Sequence, residues 1–290
     1  RMNVMLLAFG PNTKNHYQAC FAILTILKAQ LKPAITVYTD VPEYYASFGD
    51  SIHIEYTSPE RLQQWRGEQD FFWRIKCKAV QDMVQRHPGE HLMYVDSDTF
   101  LASELDGIVQ QLDRGVCLMH EREGCLSEFS SKTESAMWQA LRGGCYNEVS
   151  VNESTAMWNA GVIAIPGQIS QQVADHAVHL CDSLCATQAP WRLLEQFAFS
   201  LALAQQGPLE PAARWIGHYW GNKDDWNAAI AEFCLTSKLK AHTLEQDLQA
   251  LDGFDYSAIA LRRKTKSSKK RLVRWLNQLM PDKNLQFFSP

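Results

Sequence analysis

Over its first hundred residues the chain alternates short apolar runs with helix-length amphipathic stretches, an order that few folds accept. VMLLAF (4–9) reads as a strand, broken by Gly10, Pro11 and Asn12 and followed by a helix expected from about Asn15 to Gln30. ITVYT (35–39) is a β-branched strand ending at Asp40 and Pro42, and SIHIEYT (51–57) alternates with strand period. Helices are expected around Glu60–Arg66 and over Phe71–Arg86, the latter with Phe72, Ile75, Ala79 and Met83 as its apolar stripe. LMYV (92–95) is the next strand. Strands separated by helices in this way predict an α/β fold, a mixed, mostly parallel sheet flanked by helices. Ligands of such sheets sit beyond the carboxyl ends of the strands. Three strand ends, at Phe9-Gly10, Asp40 and Asp96-Ser97-Asp98, are therefore expected along one edge.

The last of these ends carries chemistry. LMYVDSDTFL (92–101) places two carboxylates one residue apart behind a strand that should be buried. Like charges so close repel, and neither belongs in a core, so a cation is expected to meet them. Mg²⁺ and Mn²⁺ favour carboxylate oxygens, and they take only one or two from the protein when waters and phosphate oxygens supply the rest. The plainer reading of Asp96 and Asp98 is a capping or surface pair.

Past Asp98 the pattern changes. VCLMH (116–120) is a further expected strand, and residues 121–155 read as a long polar loop that helps shape a substrate pocket. MWNAGVIAIP (157–166) is an expected strand interrupted by Asn159 and Gly161; helices are expected over Gln168–Ala186 and Arg192–Gln205. WIGHYWGNKDDW (215–226) is an aromatic, glycine-containing turn. A lone histidine is more often structural than a ligand, but His218 is followed by Gly221 and Lys223. Imidazole suits Mn²⁺ better than Mg²⁺, Lys223 could neutralise a phosphate, and Gly221 would let the backbone approach it. Arg74 and Lys78 lie four apart on the polar face of the Phe71–Arg86 helix, where the plainer reading is a solvated face; because that helix leads into the DSD strand, Arg74 is a candidate site residue. Glu195 and Gln196 head an otherwise apolar helix, a place where an acid also suits the macrodipole.

Composition narrows the class. No apolar run approaches the roughly 20 residues needed to span a bilayer, and the N-terminus lacks a signal-peptide layout. Arg1 reads as an added residue, with Met2 the expected native start. Eight cysteines show no CxxC pair; Cys181 and Cys185 are one helical turn apart, but reduced, mostly buried thiols of a cytoplasmic protein are the expected reading. Net charge is −4, yet eight Lys or Arg and no acid fall between Ile259 and Trp275, leaving 20 basic against 32 acidic residues elsewhere. An acidic body is a poor nucleic-acid binder. A basic, amphipathic tail suits an anionic membrane surface instead. The expected organisation is one domain over 2–255 and a basic tail over 256–290.

VDSDT at a strand end, MWNAGVIAIP, LLEQFAFSLAL and HYWGNK, in that order, resemble GT-A-fold nucleotide-sugar glycosyltransferases (a Rossmann-like fold). The likeness is greatest to the retaining group that includes glycogenin and bacterial lipooligosaccharide galactosyltransferases, and it covers roughly residues 3–226. The resemblance implies that Asp96, Asp98 and His218 ligate Mn²⁺ or Mg²⁺ bridging a nucleoside diphosphate. It implies a nucleotide site of Ala8, Phe9, Asn12, Asp40, Ser97, Gly221 and Lys223, and a donor-sugar site of Arg74, Asn159, Ala160, Glu195 and Gln196. Gln196 or Glu195 would supply nucleophilic help under the sugar, with Asp98 completing the catalytic set; Glu153 or Glu195 would be the base were the reaction inverting. The implied partners are a nucleotide-sugar donor, UDP-linked, and a saccharide or glycolipid acceptor at the cytoplasmic face of a membrane. Two departures stand out: one residue, Asn222, separates Gly221 from Lys223 where the family has two, and Asp224-Asp225-Trp226 replaces its Pro-Trp. DSDT also resembles the first motif of haloacid-dehalogenase-like phosphatases, although that motif normally opens its domain. A non-catalytic nucleotide-sugar binder is the third reading.

Overall fold

The structure, a computed structural model, describes residues 1–264, 267–281, 286 and 288. Strand β1 (Met2–Ala8), helix α1 (Thr13–Lys28), β2 (Ala34–Thr39) and β3 (His53–Tyr56) open the chain, followed by α2 (Pro59–Arg66), α3 (Arg74–Arg86) and β4 (His91–Val95). A short β5 (Thr99–Leu101) and α4 (Asp106–Asp113) lead to β6 (Cys117–Met119). Next come β7 (Arg122–Cys125), α5 (Lys132–Leu141), the hairpin of β8 (Cys145–Tyr146) and β9 (Val149–Ser150), then β10 (Ala156–Trp158) and β11 (Val162–Ile165). The remainder is α6 (Ser170–Cys185), α7 (Leu194–Ala204), β12 (Leu209–Pro211), β13 (Ile216–His218), α8 (Lys223–Leu239), α9 (Leu244–Ala250) and α10 (Ser267–Leu279).

Seven strands form the central sheet in the order β12-β6-β11-β4-β1-β2-β3. All run parallel except β11, which is antiparallel to both β4 and β6. Alternate residues feed opposite faces: Leu92 and Tyr94 join the core beneath α3, α6 and α7, while Met93 and Val95 join the one beneath α1, α4 and α8. Strands covered on both sides must be apolar at every position, which explains the unbroken runs in the sequence. The chain is thus an α/β protein with a mixed, mostly parallel sheet flanked by helices.

Several expectations change in detail. Residues 121–155 are not a structureless loop; they hold β7, α5 and the β8–β9 hairpin, anchored by the buried Leu126, Met137, Leu141, Val149 and Val151. MWNAGVIAIP is two strands in different sheets, since β10 pairs with β7 and β11 with β4. Phe72 is not part of the α3 stripe: residues 71–74 form a turn, with Arg74 N–H donating to Phe71 O (3.0 Å), and the Phe72 ring is left 43% exposed. All eight cysteines are unpaired thiols, and Cys181 and Cys185 form no metal cluster among the described residues.

The root of the basic segment lies against the body. Ala260 O accepts from Asn222 Nδ2 (2.8 Å) and Trp226 Nε1 (3.1 Å), and Arg263 N–H donates to Gly221 O (3.0 Å). Arg262 sits 5.1 Å over the Trp220 ring and is ion-paired with Glu121, and Arg263 pairs with Asp225 (3.3 Å). Beyond, α10 is amphipathic, with Leu272, Trp275, Leu276 and Leu279 exposed; Lys266 of the basic run lies outside the described residues. No helix among the described residues is long and apolar enough to cross a membrane.

Candidate functional site

The carboxyl ends of β1 and β4 open into a cleft of about 650 Å³. Asp96 follows β4 directly. A tight turn, in which Thr99 Oγ1 donates to Asp96 O (2.7 Å), then reverses the chain so that Asp98 precedes β5. Strand β13 pairs antiparallel with β5 in a register that sets His218 opposite Thr99, and Tyr219 N–H donates to Asp98 O (3.1 Å). This two-stranded ribbon carries residues 120 positions apart into contact: His218 Nε2 lies 3.1 Å from Asp98 Oδ1 and 3.6 Å from Asp96 Oδ2. Among the described residues, this trio is the only group of three acidic, thiol or imidazole side chains whose ligand atoms all lie within 4.8 Å of one another.

The imidazole tautomer follows from its neighbours. Gly161 N–H, an unambiguous donor, bonds to Asn159 Oδ1 (2.9 Å), so that oxygen is an acceptor. His218 Nδ1, 3.0 Å from the same oxygen, must therefore donate to it, so that Nε2 faces the two carboxylates, donating to them when the ring is charged and presenting its lone pair when the ring is neutral. With the ring neutral, three acceptor groups face one another, and a divalent ion can take the place that a proton on Nε2 otherwise fills. A six-coordinate Mg²⁺ or Mn²⁺ has ligands at about 2.1 Å and hence neighbouring ligands about 3 Å apart, close to the spacing found here. Two oxygens and an imidazole nitrogen are a donor set for a divalent ion, and Asp96, Asp98 and His218 could hold one.

The outer carboxylate oxygens are taken by cations of the protein. Lys223 Nζ lies 3.1 Å from Asp98 Oδ2. Lys76, only 4% exposed, donates from Nζ to Ala160 O (2.8 Å) and Asp96 Oδ1 (3.3 Å), and its ammonium lies 3.7 Å from Glu195 Oε2. Tyr94 OH also donates to Asp96 Oδ1 (2.5 Å). Burial alone would raise the Asp98 carboxyl, but His218 and Lys223 outweigh it and hold it well below the usual carboxylate range. Burial likewise opposes the charge on Lys76, and Asp96 and Glu195 overcome it, so the ammonium is retained. Burial, reinforced by Asp96, raises the Glu195 carboxyl against the pull of Lys76; its Oε2 is buried without a hydrogen bond. Burial, with His218 adding to it, pushes His120 down to about 4.

Five helices start at this cleft, each lining it from its first turn: α1 with Asn15, α3 with Lys76, α5 with Lys132 and Glu134, α7 with Glu195 and Gln196, α8 with Lys223. Their N-terminal dipole ends favour an anion there.

Of the residues expected at a site, the structure brings Ala8, Phe9, Ser97, Asn159, Ala160, Glu195, Gln196 and Lys223 to the same cleft as the trio. Gln196 is fixed at both ends, accepting from Ala160 N–H (3.2 Å) and donating to Glu123 Oε2 (3.4 Å). Four others do not line the cleft. Asn12 caps α1 by accepting from Lys14 N–H (3.1 Å), and Asp40 accepts from Gly10 N–H (3.0 Å), tying the end of β1 to that of β2. Gly221 pairs with Arg262, and Arg74 is engaged by Asp182 (2.6 Å). Lys78 and Glu153 are also absent from the lining; Lys78 bonds to Gln81 and Glu153 sits in an exposed turn. The sequence reading missed Lys76, Glu123, Trp73 and Trp220, all of which line the cleft. Lys76 had a signal. It falls on one helical face with the buried Ala79, Val80 and Met83, where an ionisable residue needs a partner.

No protein-family model matches the chain, and a search of curated proteins finds no match either. What stands from structure is an α/β protein bearing an Asp-x-Asp and histidine cluster able to hold a divalent ion at the edge of its sheet.

Proposed function

We propose that the protein is a metal-dependent glycosyltransferase of GT-A type, moving a hexose from a UDP-sugar to a saccharide or glycolipid acceptor with retention of configuration, in bacterial surface polysaccharide or lipooligosaccharide synthesis. The observation that carries this reading is the facing set of Asp96, Asp98 and His218 with a lysine on each aspartate. That is an arrangement for a divalent ion beside a polyanion, and a nucleoside diphosphate is the polyanion that a sugar-transfer reaction releases. When bound, the ion supplies Lewis-acid stabilisation of the charge on the departing diphosphate.

The protein's own groups supply the rest. Lys223 and Lys76 offer ammonium counter-charge to phosphate oxygens, reinforced by the helix N-termini that open onto the cleft. Asn159 keeps the His218 lone pair aimed inward. Gln196, held at both ends, presents a fixed amide to the sugar. Glu195, whose carboxylate faces the Lys76 ammonium at 3.7 Å in the cleft wall, is the other candidate to meet positive charge developing at the anomeric carbon. The exposed apolar face of α10, with its Lys and Arg residues, supports docking on an anionic inner membrane surface. Each such cation contributes about 1 kcal/mol near anionic lipid.

Calorimetry with UDP, with and without Mn²⁺, tests the site. Asp96→Asn and His218→Ala are expected to abolish metal-dependent UDP binding while thermal melting shows a retained fold. Unchanged metal-dependent binding in both variants would reject the ligand set. Release of phosphate from a simple phosphomonoester, with no nucleotide required, would replace the transferase reading with a phosphatase one.

A further inference from the structure

Three large aromatic rings line the cleft and remain strongly exposed: Phe72 (43%), Trp73 (49%) and Trp220 (46%). Phe72 and Trp73 come from the turn into α3 and Trp220 from the turn into α8, helices that cover opposite faces of the sheet. None is loose. Trp73 meets Phe72 edge to face at 5.1 Å, Arg66 covers Phe72 at 5.3 Å, and Arg262 covers Trp220 at 5.1 Å. Exposed rings braced in this way are pre-ordered contact surfaces, because little side-chain entropy is lost when a ligand arrives. Asp98 and Lys76 lie at the floor, each 4% exposed, whereas the half-exposed rings stand nearer the mouth together with Lys223. Charged groups sit among them, with Lys132, Glu134 and Arg192 lining the same cleft.

From this we infer that Trp73 and Trp220, with Phe72 bracing the former, form the subsite for a hexopyranose ring of the acceptor; the inference rests on the transferase reading given above. A pyranose gathers C–H groups on one face and carries hydroxyls around its rim. Aromatic faces take the first, and the charged side chains take the second through hydrogen bonds. The acceptor therefore enters over the donor, its ring held at the mouth while the reacting hydroxyl points to the floor.

Saturation-transfer NMR tests this on the full chain loaded with UDP and diamagnetic Mg²⁺, using methyl β-galactopyranoside and methyl β-glucopyranoside as probes. Wild type is expected to transfer saturation to the C–H protons of one face of at least one probe. Trp73→Ala and Trp220→Ala should each reduce that signal about threefold or more, Trp73→Phe should retain it, and UDP affinity should stay within about twofold of wild type. Two outcomes overturn the subsite: UDP binds but neither glycoside makes contact, or both alanine variants keep the full signal. Loss of UDP affinity in the alanine variants would assign the rings to the nucleobase and also overturn it. Absence of Mg²⁺-dependent UDP binding in wild type would instead sink the transferase reading, and the acceptor subsite with it.

Discussion

A hydrogen atom at position 161 keeps the imidazole of His218 where it is. A Cβ there would lie 2.3 Å from both Cε1 and Nδ1 of His218, closer than side chains tolerate, and 3.0 Å from Asn159 Oδ1, a tight contact. Gly161→Ala is therefore expected to push the ring off its Asn159 bond and lower metal-dependent UDP affinity by roughly 10- to 100-fold, the usual cost of losing a partner that orients a ligand. Gly253→Ala, where a Cβ meets open space, is the neutral control. Calorimetry on both variants decides the point. His120 gives a second expectation at this scale. Its folded-state pKa of about 4 lies below the ordinary value of about 6.5. Between those two values the unfolded chain binds a proton that the folded one refuses, so stability declines as pH falls through that window. The full effect is about 3 kcal/mol. Urea unfolding at pH 7, 5.5 and 4.5 should show that decline, and His120→Asn should flatten it.

Among the elements, those with one dominant period were legible in the sequence. The buried strands β1, β2 and β4 and the helices α1, α6 and α7 fall within a few residues of their expected spans, because continuous burial and helical spacing leave separate marks. The 121–155 region was opaque, since α5 buries only Met137 and Leu141 in a polar setting. The DSD pair was visible as like charges that need a cation. Lys76 was obscured by its sequence neighbours Arg74 and Lys78, because a run of alternating cations reads as surface even though helical spacing turns Lys76 to the opposite, apolar face. The root of the tail was also opaque, because Ala260 is bound through its backbone oxygen and no side-chain pattern announces that. It makes a distinction that two truncations can test. A chain ending at Lys264 should keep its UDP affinity and lose binding to anionic vesicles. A chain ending at Ala258 also removes the strap over Gly221, Asn222 and Trp226, and is expected to lose UDP affinity as the turn holding His218 and Lys223 loosens. Equal UDP affinity in the two would show that the strap does not support the site.

Across the whole molecule, the two faces of the sheet contribute separate cations to one edge. The layer of α3 and α7 delivers Lys76 to Asp96, and the layer of α1 and α8 delivers Lys223 to Asp98. Without a metal, each aspartate thus already has an internal partner. An incoming divalent ion supplies the charge that the aspartates draw from the two ammonium groups; Lys76 keeps Glu195 as a partner, but Lys223 is left unmatched and favours an anion beside it. Metal alone and nucleotide alone should therefore each be held weakly, and together strongly. Thermodynamic reciprocity fixes the form of this expectation: saturating Mn²⁺ should tighten UDP by some factor, on the order of 10 to 100, and saturating UDP should tighten Mn²⁺ by that same factor. Titrations run in both orders would expose any inequality. The protein would then act as a coincidence detector, committing its cleft only when cation and diphosphate arrive as a pair.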